Sequence, residues 1–82
     1  MAKEAAKIKV YVERRRFGKT VTIVEGVEKD AGPRQVSSKL KSKLACGGTF
    51  KDEKIELQGD HKSKVKGILI KMGFPESQIE VE

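Results

Sequence analysis

Hydrophobic and polar positions alternate from Ile8 to Arg14. Ile8, Val10 and Val12 fall on one face and Lys9, Tyr11 and Glu13 on the other, as in a half-buried strand. The run Arg14-Arg15-Arg16-Phe17-Gly18-Lys19 interrupts the alternation, and Gly18 is free to take positive φ. A second strand, rich in β-branched residues, is predicted over Thr20 to Val24. Two strands joined by a short Gly-containing segment predict a hairpin. Residues 25–33 read as a loop, and Pro33 suits the first position of a helix, where its missing N–H is not needed. Val36, Leu40 and Leu44 then form an apolar stripe one turn apart, with Gly47-Gly48 expected to end the helix. Short strands fit Thr49–Lys51 and Lys54–Gln58, where Ile55 and Leu57 alternate with polar residues. Gly59 breaks the strand and Asp60 is the expected N-cap of a second helix. Val65, Ile68, Leu69 and Met72 lie at helical spacing; Gly73 is expected to end that helix, with Pro75 beyond it. Ile79 and Val81 predict a last edge strand. The order ββαββαβ predicts an α+β fold, a mixed β-sheet with two helices packed on one face. The expected organisation is a disordered tail over residues 1–7 and one domain over residues 8–82.

Composition narrows what such a domain can do. A chain of 82 residues buries roughly 60% of its unfolded surface, so its core is thin and a deep pocket is not expected. Lys and Arg number 18 against 12 Asp and Glu, and this surplus points to a polyanionic partner. The charge is blocked: residues 34–46 and residues 61–73 each hold four cations and no carboxylate, and residues 3–19 hold seven cations and two carboxylates. A single cysteine, Cys46, allows neither an internal disulfide nor a Cys-rich zinc site, and fits a reducing compartment. No stretch reads as a signal peptide or approaches the ~20 apolar residues of a membrane span. A soluble cytoplasmic protein with no metal, other cofactor or membrane partner is the expectation.

The sharpest local feature is the hairpin tip. Arg14, Arg15, Arg16 and Lys19 repel one another unless an anion neutralises them, and the planar guanidinium suits phosphate. The alternative is a solvated tip that only keeps an edge from pairing. Phe17 either stacks on a base or folds back on the sheet. On the first helix Lys39 and Lys43 share one row, and Arg34 and Lys41 another. On the second, Lys62 and Lys66 lie on one side of the stripe and Lys64 and Lys71 on the other. These lysines either contact RNA or merely snorkel beside a buried face. Cys46 beside Gly47-Gly48 invites a nucleophile reading, with His61 as the lone candidate base. A small buried cysteine at a turn is the favoured alternative. Asp52, Glu53 and Asp60 read as a turn and a cap rather than an acid pair or metal ligands. The spaced aromatics of an RNA-recognition sheet are missing.

Four blocks occur in order: Arg15-Arg16-Phe17-Gly18-Lys19, then Leu40 to Thr49 with its Ala-Cys-Gly-Gly-Thr, then Ile55-Glu56-Leu57-Gln58-Gly59-Asp60-His61, then Lys71-Met72-Gly73-Phe74. From Ile8 to Val81 the chain thereby resembles the initiation-factor-one family of archaea and eukaryotes, in a short archaeal form. The resemblance implies an α/β plait without catalysis. It implies a monomer that binds the small ribosomal subunit near the peptidyl site, beside initiator tRNA and mRNA. There it would act with other initiation factors to reject wrong start codons. It assigns ribosomal RNA contacts to Arg14, Arg15, Arg16, Phe17, Gly18 and Lys19, and further contacts to Lys39, Lys41 and Lys43. A loop facing the tRNA matches Lys51, Asp52, Glu53 and Lys54, and is shorter here than in eukaryotic members. The competing class is a general single-stranded nucleic-acid-binding or accessory ribosome-binding protein.

Overall fold

The computed structural model describes residues 7–82, so the expected tail over 1–7 lies, except for Lys7, outside the described residues. The elements are β1 (Ile8–Arg14), β2 (Thr20–Glu25), α1 (Pro33–Leu44), β3 (Gly48–Lys51), β4 (Lys54–Gln58), α2 (Lys62–Lys71) and β5 (Ile79–Val81). Short 3-10 turns at Arg16–Gly18, Lys29–Ala31 and Glu76–Gln78 join them. The ββαββαβ order is as the sequence predicts. The five strands form one sheet in the order β3-β4-β2-β1-β5. Only β1 and β5 pair in parallel, so the sheet is mixed.

One face of the sheet is covered. Ile8, Val10, Val24, Ile55, Leu57 and Ile79 from the strands meet Val36 and Leu40 of α1 and Val65 and Leu69 of α2 in a single core. Helix α1 lies over β3 and β4, and α2 over β1 and β5. The other face is open to solvent, yet Ile23 is buried there, with Tyr11 and Glu56 beside it across the neighbouring strands. No described helix is long and apolar enough to cross a membrane.

Two local expectations need correction. Helix α1 does not run to Gly47-Gly48. It ends at Leu44, and Ala45 turns left-handed at φ 51°. Ala45 N–H donates to the Ser42 carbonyl and Cys46 N–H to the Lys41 carbonyl, the paired bonds of a Schellman motif. Gly48 serves another need: a Cβ there would collide with the Glu56 carbonyl of the paired strand. Helix α2, by contrast, ends as predicted. Gly73 at φ 110° donates to Ile70 and Phe74 N–H to Leu69, the same motif with the residue that suits it. Finally, the residue capping α2 is His61 rather than Asp60, which stands one position earlier and accepts a long bond of 3.4 Å from Lys62 N–H. The cap is displaced because Thr22 takes the His61 N–H: its hydroxyl accepts that bond at 2.8 Å and donates to the Gly59 carbonyl at 2.7 Å.

Candidate nucleic-acid interface

Strand register decides which charges meet. Thr20 pairs with Arg14, Val21 with Gln58, and Gly48 with Leu57. The β1–β2 hairpin, the end of β4 and the start of β3 therefore share one end of the sheet. The C-terminus of α1 and the N-terminus of α2 arrive there too, because they connect directly to those strands. This end collects Arg14, Arg15, Arg16, Lys19, Lys41, Lys43 and Lys62. The Lys51–Lys54 turn lies at the opposite end, where Lys54 pairs with Glu25. Five residues of β2 separate the two ends, about 17 Å at the strand rise. The hairpin and Lys41 and Lys43 of α1 are thus brought together, and the Lys51–Lys54 turn is not.

The loop from Arg15 to Lys19 is closed by Arg15 N–H donating to the Lys19 carbonyl at 2.6 Å. Gly18 takes φ 71° as expected, but Phe17 is left-handed as well, at φ 63°. Phe17 does not fold onto the sheet: it is 94% exposed. Left-handed backbone is unfavourable for a residue with a Cβ, and among the described residues no packing compensates Phe17.

The four cations of the tip are not equivalent. Arg15 turns back onto the open face, where its guanidinium lies 2.9 Å from Glu13 and 3.3 Å from Glu56. Bonds to these two carboxylates raise its pKa further. The expectation of four mutually repelling cations awaiting an outside anion therefore fails for Arg15. Arg14, Arg16 and Lys19 are exposed, and none of them has a carboxylate within salt-bridge distance among the described residues. Glu13 stands two residues from Arg15 and could have been suspected from sequence. Glu56 could not, because its approach depends on β4 lying beside β2.

The other candidates resolve similarly. Cys46 is half-buried, and burial pushes its thiol pKa up. It follows left-handed Ala45 and packs on the core, as Phe74 does after Gly73. His61 bonds the Gln58 carbonyl through Nε2 at 2.7 Å, and since a carbonyl only accepts, that nitrogen carries the proton. No hydrogen bond joins Cys46 to His61 among the described residues. At the far end, Asp52 and Glu53 form a two-residue turn with both φ positive, at 53° and 63°, and both side chains exposed. Nearby, Tyr11 donates to Glu25 at 2.6 Å. That bond, with burial, pushes the phenol up to about 12. Among the described residues no group of three or more His, Cys, Asp and Glu could hold a metal ion.

Comparison with known proteins adds a second line. The family model described as translation initiation factor SUI1 matches residues 4–75. The chain is similar to the protein translation factor SUI1 homolog of Sulfolobus acidocaldarius, 60% identical over 99% of this chain and 83% of that protein. It is similar to the homolog of Methanosphaera stadtmanae, 57% identical over all of this chain and 82% of that protein. The homolog of Pyrococcus horikoshii is 54% identical, covering 98% of this chain and 82% of its own length.

Proposed function

The chain belongs to the translation initiation factor SUI1 family, and from that premise we propose that it binds the small ribosomal subunit near the peptidyl site and promotes accurate start-codon selection. It acts in the cytoplasm as a binding protein and catalyses no reaction. Its partners are small-subunit RNA, initiator tRNA and mRNA, together with other initiation factors. The observation that carries this reading is the β1–β2 loop, which holds Phe17 out in a left-handed conformation between cations that have no carboxylate partner among the described residues. Arg14, Arg16 and Lys19 neutralise phosphates of ribosomal RNA, and Phe17 stacks on an unpaired base. Lys39, Lys41 and Lys43 extend the contact along α1. Arg15 shapes the loop through Glu13 and Glu56 rather than by meeting phosphate.

In the same reading, Asp52 and Glu53 face initiator tRNA. Carboxylates held against an anionic backbone oppose full accommodation until codon pairing outweighs the repulsion. Sedimentation with purified archaeal small and large ribosomal subunits tests the binding: the protein should travel with the small subunit alone. Equal binding to both subunits and to free RNA would instead mark a general single-stranded nucleic-acid-binding protein. An initiation assay with matched and single-mismatch start codons tests the turn. Asp52→Arg with Glu53→Arg should raise initiation at mismatched codons, and unchanged discrimination in a folded, bound variant would remove the turn from the mechanism.

A further inference from the structure

The sheet carries α1 and α2 side by side, antiparallel, and two contacts fix how each is rotated. Arg34 of α1 lies over the Phe50 ring of edge strand β3, 5.6 Å from its centroid. The flank of α1 that bears Arg34 and Lys41 therefore faces the β3 edge. Lys66 of α2 bridges Glu76 at 3.2 Å, just before edge strand β5. The flank that bears Lys62 and Lys66 therefore faces the β5 edge. By elimination, Lys39 and Lys43 of α1 and Lys64 and Lys71 of α2 border the furrow between the helices. All four are exposed, and none lies within 4.0 Å of a carboxylate among the described residues. Neither helix contains an acidic residue. Arg14, on the same side of β1 as Val10 and Val12, continues the positive row at the hairpin end.

The α2 side of the furrow has no structural explanation among the described residues. Lys64 stands in the first turn, where the helix dipole disfavours a cation. Gly67 sits on the outer surface with nothing within 4 Å of where its Cβ would be, although glycine weakens a helix interior. Ile70, one turn further, is 40% exposed. The result is a positively charged border between the helices, with Gly67 leaving the adjoining outer surface of α2 open to the approach of a backbone.

We infer that the nucleic-acid interface continues across the furrow between α1 and α2, where Lys64 and Lys71 join Lys39 and Lys43 in holding an RNA phosphate backbone. It rests on the proposed RNA-binding function and adds α2 to it. The matched charge selects a polyanionic backbone over an apolar protein surface. An apolar partner would have to bury four unneutralised ammonium groups, whereas phosphates neutralise them and release counterions.

The test is the salt dependence of binding to purified archaeal small ribosomal subunits, repeated with a short oligouridylate. Lys64→Ala with Lys71→Ala should lower the slope of log affinity against log salt by up to about two units, and Gly67→Leu, which adds bulk to the open surface of α2, should weaken binding while keeping the slope. Lys66→Ala, at the residue that bridges Glu76 on the β5 flank, serves as the control and should change the slope by much less. Melting of Lys64→Ala should be unchanged or raised, because a cation leaves the helix start. A structural lysine would lower it instead. If wild-type protein fails to bind subunits, the proposed function falls, and the oligouridylate arm still reads the furrow. If wild type binds either RNA and the Lys64 and Lys71 changes leave affinity and slope intact on both, the furrow is not an RNA site.

Discussion

The two hairpins of this fold sit at opposite ends of one sheet and use the same unfavourable backbone region differently. The β3–β4 turn connects its strands with two residues, Asp52 and Glu53, both left-handed. That is the conformation a two-residue hairpin demands, here without the glycine or asparagine that usually supplies it. Its geometry is explained by the strands it joins. The β1–β2 loop has five residues between its last pairs and could close without placing an aromatic at positive φ. There the left-handed residue is Phe17, and the conformation holds a ring in water. Unfavourable backbone that connectivity explains is architecture; unfavourable backbone that connectivity leaves unexplained points outward, to a partner.

The ends also differ in how they are anchored. At the hairpin end the buried Thr22 hydroxyl bonds both Gly59 and His61, tying β2 to the start of α2. Thr22→Val keeps the shape and leaves a half-buried carbonyl and N–H without their partner, so unfolding by urea should show a loss of about 1–3 kcal/mol. The Lys51–Lys54 turn has no such clamp, and Asp52→Asn should leave stability within about 0.5 kcal/mol.

Glycine substitution separates the two uses of left-handed backbone. Glu53→Gly and Phe17→Gly should each stabilise the domain by about 1 kcal/mol, because both relieve a Cβ at positive φ. For a domain of this size that is a rise of roughly 4–8 °C in Tm. Only Phe17→Gly should also weaken binding to the small subunit. Equal loss of binding in both variants would erase the distinction between the loops. Ala45→Gly should give a comparable gain in melting temperature with binding intact, since Ala45 closes α1 in the place Gly73 occupies after α2.

The smallest expected effect lies in the titration of Tyr11, whose bond to Glu25 belongs to the turn end. Its raised pKa means the folded state favours the neutral phenol. The stabilisation is fully present below the ordinary tyrosine value near 10 and is lost as pH rises through about 12. Ultraviolet titration of the phenolate should show late ionisation, and Glu25→Gln should bring it back toward the ordinary value. Unchanged titration in that variant would contradict the assigned bond.

Much of this fold was legible in the sequence because its elements are strongly periodic. The alternation at Ile8–Val12 and the helical spacing of Val65 to Met72 each have one reading. The misplaced boundaries have specific causes. Gly47-Gly48 looks like a helix stop, but Gly48 answers to the Glu56 backbone and Ala45 accepts the left-handed role. Asp60 looks like a cap, but Thr22, 38 positions earlier, competes for the helix start. In the candidate site, the composition of the hairpin tip was legible and its internal pairing was not. The Arg15 to Glu56 contact spans 41 residues and exists only once β4 lies beside β2. The side-chain hydrogen bond that locks His61 could likewise be read only from the folded turn.

In the proposed function the hairpin end, and not the turn end, anchors the protein to small-subunit RNA. The direct measurement is affinity for purified small subunits across a salt series, for wild type, for Arg14→Ala with Arg16→Ala and Lys19→Ala, and for Asp52→Arg with Glu53→Arg. Each neutralised phosphate contributes roughly 0.7–0.9 to the slope. The hairpin variant should therefore lose about two to three units of slope and bind at least about tenfold more weakly, while remaining folded. The turn variant should bind empty subunits as tightly as wild type or slightly more so. An intact slope and affinity in the hairpin variant would contradict the account and leave the β1–β2 loop a solvated tip.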